Sequence, residues 1–454
     1  MMAKKALVLG GGGSKGAYQV GAYRALVELG HSFDLVVGTS IGALNGALIV
    51  QNDFALLCEL WEKISVEKVI SHGLNFTQDM DYYFANTQKI LPFLKSYAQN
   101  KGMDTSPLQG ILNSYLNWER IESSKLDFGL VTLEIPSLTP YEVRKNMMTK
   151  DTLSSWVLAS ASCFPAFPIF EFEGKSFIDG GYYDNVPIDL AYKMGAQEVV
   201  AVSLNWDFES KYDTNPLVTH IRPSMYLGSM LDFSKNAIAQ NITLGYLETM
   251  RAFGKFVGQC YCFAPKSIDE ALEAKIHTLL RQILSQELNK SYEATTLSAK
   301  FGAQMASTGL FSKITSQTPF CDKLLQLANF HKEPKVRWQE VLFFLVESYM
   351  SLCNFERTKV WDMREVLAMA RKHFESGAFS EVLESARDMD SATETKEAKS
   401  AFDMMLYMMR GMASGARFEH FKKQLLEYKP NAELLEPKSV KISACVLLEI
   451  ILNL

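Results

Sequence analysis

Ser40 lies in Gly38-Thr39-Ser40-Ile41-Gly42, a G-x-S-x-G pentapeptide. Leu35, Val36 and Val37 precede it, and a stretch of small and apolar residues from Ile41 follows. That order predicts a strand, a sharp turn and a helix, the setting in which a serine hydroxyl is held out at the carboxyl edge of a sheet as a nucleophile. Gly38 and Gly42 remove side chains that would collide in such a turn. The N-terminus of the following helix places partial positive charge where an oxyanion would develop.

A lone hydroxyl is a weak nucleophile and needs a group to take its proton. The histidines are His31, His72, His220, His277, His331, His373 and His420, and none sits in a motif. His31 begins the second strand, at the opposite edge of the sheet from Ser40. An α/β-hydrolase would supply a histidine late in the chain, but that fold puts several strands ahead of its nucleophile, and here only one strand and one helix precede Ser40. An aspartate acting directly is what remains. Asp179 is best placed: Phe177 and Ile178 lead into it as a strand, and Gly180 and Gly181 after it allow another loop to approach without obstruction. The competing reading of Asp179 is an ordinary strand-end turn residue.

The run Gly10 to Gly16, GGGGSKG, follows a short apolar strand, Ala6 to Leu9. Gly11, Gly13 and Gly16 satisfy the dinucleotide fingerprint, but that site needs an acid at the far end of the second strand, and the nearest one, Asp34, precedes it. A phosphate-binding loop ending in Lys-Ser/Thr is excluded because Gly16 follows Lys15. Consecutive unobstructed backbone amides forming an oxyanion hole fit best, since this loop and the Ser40 loop leave adjacent strands at one edge. A turn that merely lets helix and strand pack closely is the plainer alternative.

Two strand-loop-helix units at the start imply an α/β domain with a parallel sheet. The first helix is expected from Ala17 to Leu29, with Val20, Tyr23, Leu26 and Val27 on one face and Gly30 ending it. Asp53 to Lys125 is helical in pattern and aromatic (Trp61, Phe76, Tyr82, Tyr83, Phe84, Phe93, Tyr97, Tyr115, Trp118), and reads as core rather than as a lid. Leu126 to Glu134 and Pro140 to Val143 read as strands, and Leu158 to Ser162 as a small-residue helix. Phe170 and Phe172 alternate as in a strand with a turn at Gly174; Glu198 to Leu204 is one more buried strand, and Met225 to Phe256 is helical.

The 454 residues suffice for two or three domains, and the net charge of -5 gives no basic surface of the kind that binds nucleic acid. Seven scattered cysteines form neither a disulfide framework nor a zinc site. No run reaches the roughly 20 apolar residues that span a bilayer, and the N-terminus does not read as a signal peptide. A soluble protein of a reducing compartment, cytoplasmic or otherwise intracellular, is therefore expected.

Three motifs in order, GGGGSKGAYQVGAY, GTSIGALNGA and DGGYYDNVP, with ASASCFPAFP before the last, resemble the patatin-like phospholipases over about the first 210 residues, and more weakly to about residue 265. The resemblance implies a three-layer α/β/α domain over 1–265. It also implies a Ser40–Asp179 dyad without histidine, and an oxyanion hole of the Gly11, Gly12 and Gly13 amides supported by Lys15, Gly16, Gly38, Gly42, Gly180 and Gly181. Lys15 stands where the family usually has arginine, and an ammonium does not reproduce the planar guanidinium fork. The implied activity is hydrolysis of lipid acyl esters, of phospholipase A or lysophospholipase type, through an acyl-enzyme. The plan needs no cofactor and no metal, with a lipid substrate and transient membrane contact as partners. Residues 266–454 are expected to form an all-helical accessory domain, with helices over Glu270 to Gln286, Gln339 to Cys353, Arg364 to Phe374 and Phe402 to Met412. That region could bind a protein partner or self-associate, and a patatin-fold scaffold with weak or activator-dependent activity is the competing functional class. The methionines from Met404 to Met412 read as core, and Thr393 to Ser400 as a solvated face.

Overall fold

A computed structural model describes residues 3–71, 103–268 apart from 165 and 207, and 338–377, together with isolated helical positions at 270, 271, 274, 278, 445, 448 and 452. The chain divides into two compact units, Met1–Phe256 and Val257–Leu454.

The first unit is built on an eight-stranded sheet, β1 (Lys5–Leu9), β2 (Leu35–Thr39), β3 (Asp127–Ile135), β4 (Thr139–Arg144), β5 (Phe170–Phe172), β6 (Lys175–Asp179), β7 (Glu198–Val202) and β8 (Val218–Ile221). Their order is β5-β6-β3-β2-β1-β7-β8, with β4 paired to β3. The five strands β3-β2-β1-β7-β8 are mutually parallel, while β4 and β6 run antiparallel to β3, and β5 antiparallel to β6. The parallel centre follows from the helical crossovers after β1 and β2, α1 (Ala17–Glu28) and α2 (Ile41–Val50). Alternation in the strands separates two cores. Leu7, Leu9, Val36, Phe128 and Leu130 join α1, α2 and the Phe54–Lys63 helix on one face, whereas Ala6, Val8, Leu35, Val37 and Val131 meet the Ile188–Lys193 helix on the other. This is the α/β/α layering expected.

The register of β3 decides what the site becomes. Its residues Asp127 to Val131 pair with β2, Thr132 to Ile135 pair with β6, and Gly129 to Glu134 pair with β4. A strand has two edges, and β4 overlaps both other partners, so β2 and β6 share the edge opposite it. They run toward each other along that edge. Thr39, the last residue of β2, pairs with Val131, and Asp179, the last of β6, pairs with Thr132.

Several expectations shift. Val27 is exposed, because Ala22 and Ala25 rather than Val27 complete the buried face of α1. The small-residue helix begins earlier, spanning Leu153–Ser160. One helix, Lys235–Ala252, occupies the region after Met225, preceded by a loop. It crosses α1 closely: a Cβ on Gly21 would lie 1.8 Å from the Ile242 carbonyl oxygen, and one on Gly245 1.9 Å from that of Tyr18. Trp61 is fully buried, as a core aromatic should be, and donates through its indole N–H to Asn45 at 2.9 Å. Phe76, Tyr82, Tyr83, Phe84, Phe93 and Tyr97 lie outside the described residues.

The second unit starts at Val257, ahead of the expected break, because Tyr261 and Phe263 pack into its core. It is not purely helical: Cys262–Phe263 pairs in parallel with Val360–Trp361. The helices Trp338–Leu352 and Met363–Ser376 match two expected ones. Buried Glu347 accepts from the backbone amides of Gln259 and Cys260, both at 2.6 Å. The expected Phe402 to Met412 helix, the methionine cluster and Thr393 to Ser400 lie outside the described residues, as does most of Glu270 to Gln286.

Candidate active site

Ser40 occupies the turn between β2 and α2 with φ 56° and ψ -124°, a backbone conformation that side chains other than glycine rarely adopt. The flanking glycines are needed for close approach. A Cβ on Gly38 would fall 2.2 Å from the Gly42 carbonyl oxygen, and one on Gly42 the same distance from that of Leu9. The turn is also tied from outside. The Ser40 amide donates to Ser160 Oγ at 2.9 Å, Ser160 Oγ donates to the Val131 carbonyl at 2.6 Å, and Thr39 Oγ1 donates to the Asp184 carbonyl at 2.9 Å.

Asp179 reaches the same point from the end of β6, its carboxyl near enough to the Ser40 hydroxyl for that hydroxyl to lower its proton affinity. Its Oδ1 also accepts from the Gly181 amide at 2.7 Å, and its own amide donates to the Ser162 carbonyl at 2.9 Å. Only 6% of the residue is exposed. Burial lifts its carboxyl from 3.8 to about 6, against the opposing pull of the Ser40 and Gly181 hydrogen bonds. A carboxylate with that affinity for a proton, beside a hydroxyl, is suited to accept the hydroxyl's proton near neutral pH.

The glycine loop lies against the serine: a Cβ on Gly11 would be 3.1 Å from Ser40 Cβ. The three glycine amides are not equivalent. The Gly11 N–H donates to the Asn185 carbonyl at 3.1 Å, which corrects the expectation that it faces the oxyanion. The Gly12 and Gly13 amides have no acceptor among the described residues. Gly13 has φ 60° and passes so near the loop at Met230 that a Cβ would lie 2.2 Å from that carbonyl oxygen. Gly16 is pressed between Ile41 and Trp61, and the Lys15 ammonium sits over the Tyr226 ring, 5.3 Å from its centre. Gly180 passes the Val131 carbonyl and Gly181 faces Asn185 Oδ1, so both let the Asp179 loop close on its neighbours.

A cleft open to solvent begins at Ser40 and Gly13 and continues between apolar side chains, among them Leu44, Ile64, Leu108, Ile111, Phe167 and Met230. The Ser106–Tyr115 helix, in the segment read as core, supplies Leu108 and Ile111 to this wall.

The described histidines stay away from Ser40. His31 bonds Lys5 at 2.8 Å and packs on Phe253, His220 faces Asp213 on the edge strand β8, and His373 bonds Tyr349 in the second unit. His72, His277, His331 and His420 lie outside the described residues. Sequence reasoning missed Ser160 and Asn185. Asn185 lies in DGGYYDNVP, and besides accepting from Gly11 it donates through Nδ2 to the Gly11 carbonyl at 3.4 Å. Among the described residues no helix is long and apolar enough to cross a membrane.

Residues 7–192 match the family described as Patatin-like phospholipase. Patatin-like phospholipase domain-containing protein 7 of Rattus norvegicus is 30% identical over 201 residues, which cover 44% of this chain and 13% of that protein. Patatin-like phospholipase domain-containing protein 6 of Homo sapiens is 30% identical over 216 residues, 46% of this chain and 14% of that one. Lysophospholipase NTE1 of Scheffersomyces stipitis is 29% identical over 213 residues, 46% and 12% respectively. The chain thus spans only about an eighth of the length of these relatives. Among solved structures, VipD from Legionella pneumophila aligns over 100% of this chain and 92% of its own, with 13% identity and a TM-score of 0.39.

Proposed function

We propose, from the match of residues 7–192 to the family described as Patatin-like phospholipase, that the chain is a serine hydrolase of lipid acyl esters, of phospholipase A or lysophospholipase type. The observation that carries this reading is the approach of the Ser40 hydroxyl to the buried Asp179 carboxyl at the mouth of an apolar cleft beside the Gly12 and Gly13 amides. Ser40 Oγ attacks the ester carbonyl carbon as Asp179 takes its proton. The two glycine amides stabilise the oxyanion, and the alcohol leaves with the proton from Asp179. Water then attacks the acyl-enzyme, giving its proton to Asp179; as the intermediate collapses, Asp179 returns that proton to Ser40 and the free fatty acid departs. The cleft takes the acyl chain.

Transient contact with a lipid surface belongs to the same reading. Phe164 and Met230 are exposed, Met230 itself lines the cleft, and Phe164 adjoins the cleft residue Cys163. Amphipathic and apolar side chains at a rim favour the membrane interface.

The test compares wild type, Ser40→Ala and Asp179→Ala on a short-chain p-nitrophenyl ester and on a panel of phospholipids and lysophospholipids, after each is shown to fold. Fatty acid release by wild type alone is the expected result. Equal release by all three, or by none, refutes the dyad and leaves a scaffold role.

A further inference from the structure

We propose that Ser160 is the positioning residue that holds the nucleophile against its base, an inference that rests on Ser40 being the nucleophile. The strained Ser40 backbone is gripped on both sides. Its carbonyl accepts from the Ala43 and Leu44 amides in the first turn of α2, at 2.9 and 3.3 Å. On the other side its amide has one partner, Ser160 Oγ, at 2.9 Å. That oxygen is not free to rotate away, because its proton is committed to the Val131 carbonyl at 2.6 Å. Ser160 is fully buried, so no water can take its place without opening the core.

The place of Ser160 in the fold gives the contact its purpose. Val131 is the residue of β3 paired with Thr39, and Thr132 beside it is paired with Asp179. Ser160 therefore ties the turn that carries Ser40 to the point on β3 where β2 and β6 meet. Two residues later the Ser162 carbonyl accepts from the Asp179 amide at 2.9 Å, and the Ser162 hydroxyl is turned back to Leu158 at 2.8 Å. One short segment, 160–162, thus fixes the backbones of both the nucleophile and the base, and the approach of their side chains to one another is the outcome. An alanine at 160 leaves the Ser40 amide without an acceptor and lets the turn relax, which moves Oγ relative to Asp179. The cleft wall is untouched, since Ser160 does not line it.

The test uses the full chain with wild type, Ser160→Ala and Ser40→Ala on one lysophospholipid. For Ser160→Ala, kcat should fall by about tenfold to a hundredfold, the scale of a small misplacement of reacting groups, with KM within about twofold. The labelling rate of Ser40 by a fluorophosphonate should fall by the same factor. The acidic limb of the rate profile should move to higher pH, because the Ser40 hydrogen bond lowers the proton affinity of Asp179, while the nearby Cys163 and Tyr182 groups are held up out of that range by burial. Should Ser160→Ala not fold, Ser160→Cys, a poor donor and acceptor, carries the same expectations. A kcat equal to wild type overturns the inference, as does a loss that matches the unfolded fraction with the acidic limb in place. Undiminished hydrolysis by Ser40→Ala refutes instead the reading on which it rests.

Discussion

Replacing Asp179 by asparagine should make the protein more stable and inactive, and the gain should depend on pH in a defined direction. The carboxyl binds its proton with a pKa of about 6 in the fold against 3.8 ordinarily. Between those values the folded chain keeps a proton that the unfolded chain has released, so folding stability falls as pH rises through the window. Two units at about 1.4 kcal/mol each put the cost of the buried carboxylate at roughly 3 kcal/mol above pH 6. Asparagine has nearly the same shape and no charge. Its carbonyl oxygen can accept from the Gly181 amide, and its amide can donate to Ser40. At pH 8 Asp179→Asn should therefore melt about 6–12 °C above wild type, on the scale of 2–4 °C per kcal/mol for a unit of this size, and the difference should vanish near pH 4. The assay is thermal unfolding of both proteins at pH 4, 6 and 8. Asp184 is also lifted to about 6, chiefly by burial and then by Asp189 nearby. The difference between variant and wild type isolates Asp179, because Asp184 is common to both. A gain independent of pH, or one larger at pH 4, would refute the argument that burial of this carboxylate sets its proton affinity.

Three further outcomes are expected. Wild-type hydrolysis should rise about tenfold per pH unit below pH 6 and level above it, as deprotonation of Asp179 requires; a profile flat from pH 4 to 8 would exclude this carboxylate as the base. Gly13→Ala forces a Cβ to within 2.2 Å of the Met230 carbonyl oxygen at a left-handed φ, so turnover should drop about a hundredfold while the protein still folds; the readout is kcat, and a value within threefold of wild type would remove Gly13 from the oxyanion hole. Ile111→Trp narrows the cleft and should shift the ratio of long-chain to short-chain ester hydrolysis by about tenfold toward the short chain, measured as relative kcat/KM.

The strands β1 and β2, the glycine loop and the G-x-S-x-G turn were legible because each is a local pattern: an apolar run, then glycine, then a helical period. Asp179 was legible as a strand-end acid followed by glycines, and its role was implied by the resemblance to the patatin-like phospholipases. What was not legible is long-range. That β6 runs antiparallel into the end of β2 depends on which edges of β3 are taken by β4 and β2. Ser160 reads as one small residue in a small-residue helix until its hydroxyl is seen 120 residues away from its partner in sequence. The Gly11 amide looked like its neighbours, and only the fold turns it onto Asn185, 174 positions on. The two-stranded pairing of Cys262–Phe263 with Val360–Trp361 is too short for any periodicity to announce.

The central place of β1 bears on how the chain comes to be folded during synthesis. Lys5 to Leu9 pairs with β2 on one side and with β7 on the other, where Lys5 meets Glu198. The second partner is made about 190 residues after the first strand. At a translation speed of about 5–20 residues per second, that is an interval on the order of ten to forty seconds. For all of it the first strand presents an apolar, unpaired edge, the kind of surface that recruits chaperones or stray strands. The proposed pairing of Ser40 with Asp179 waits as well, since β6 ends only at Asp179.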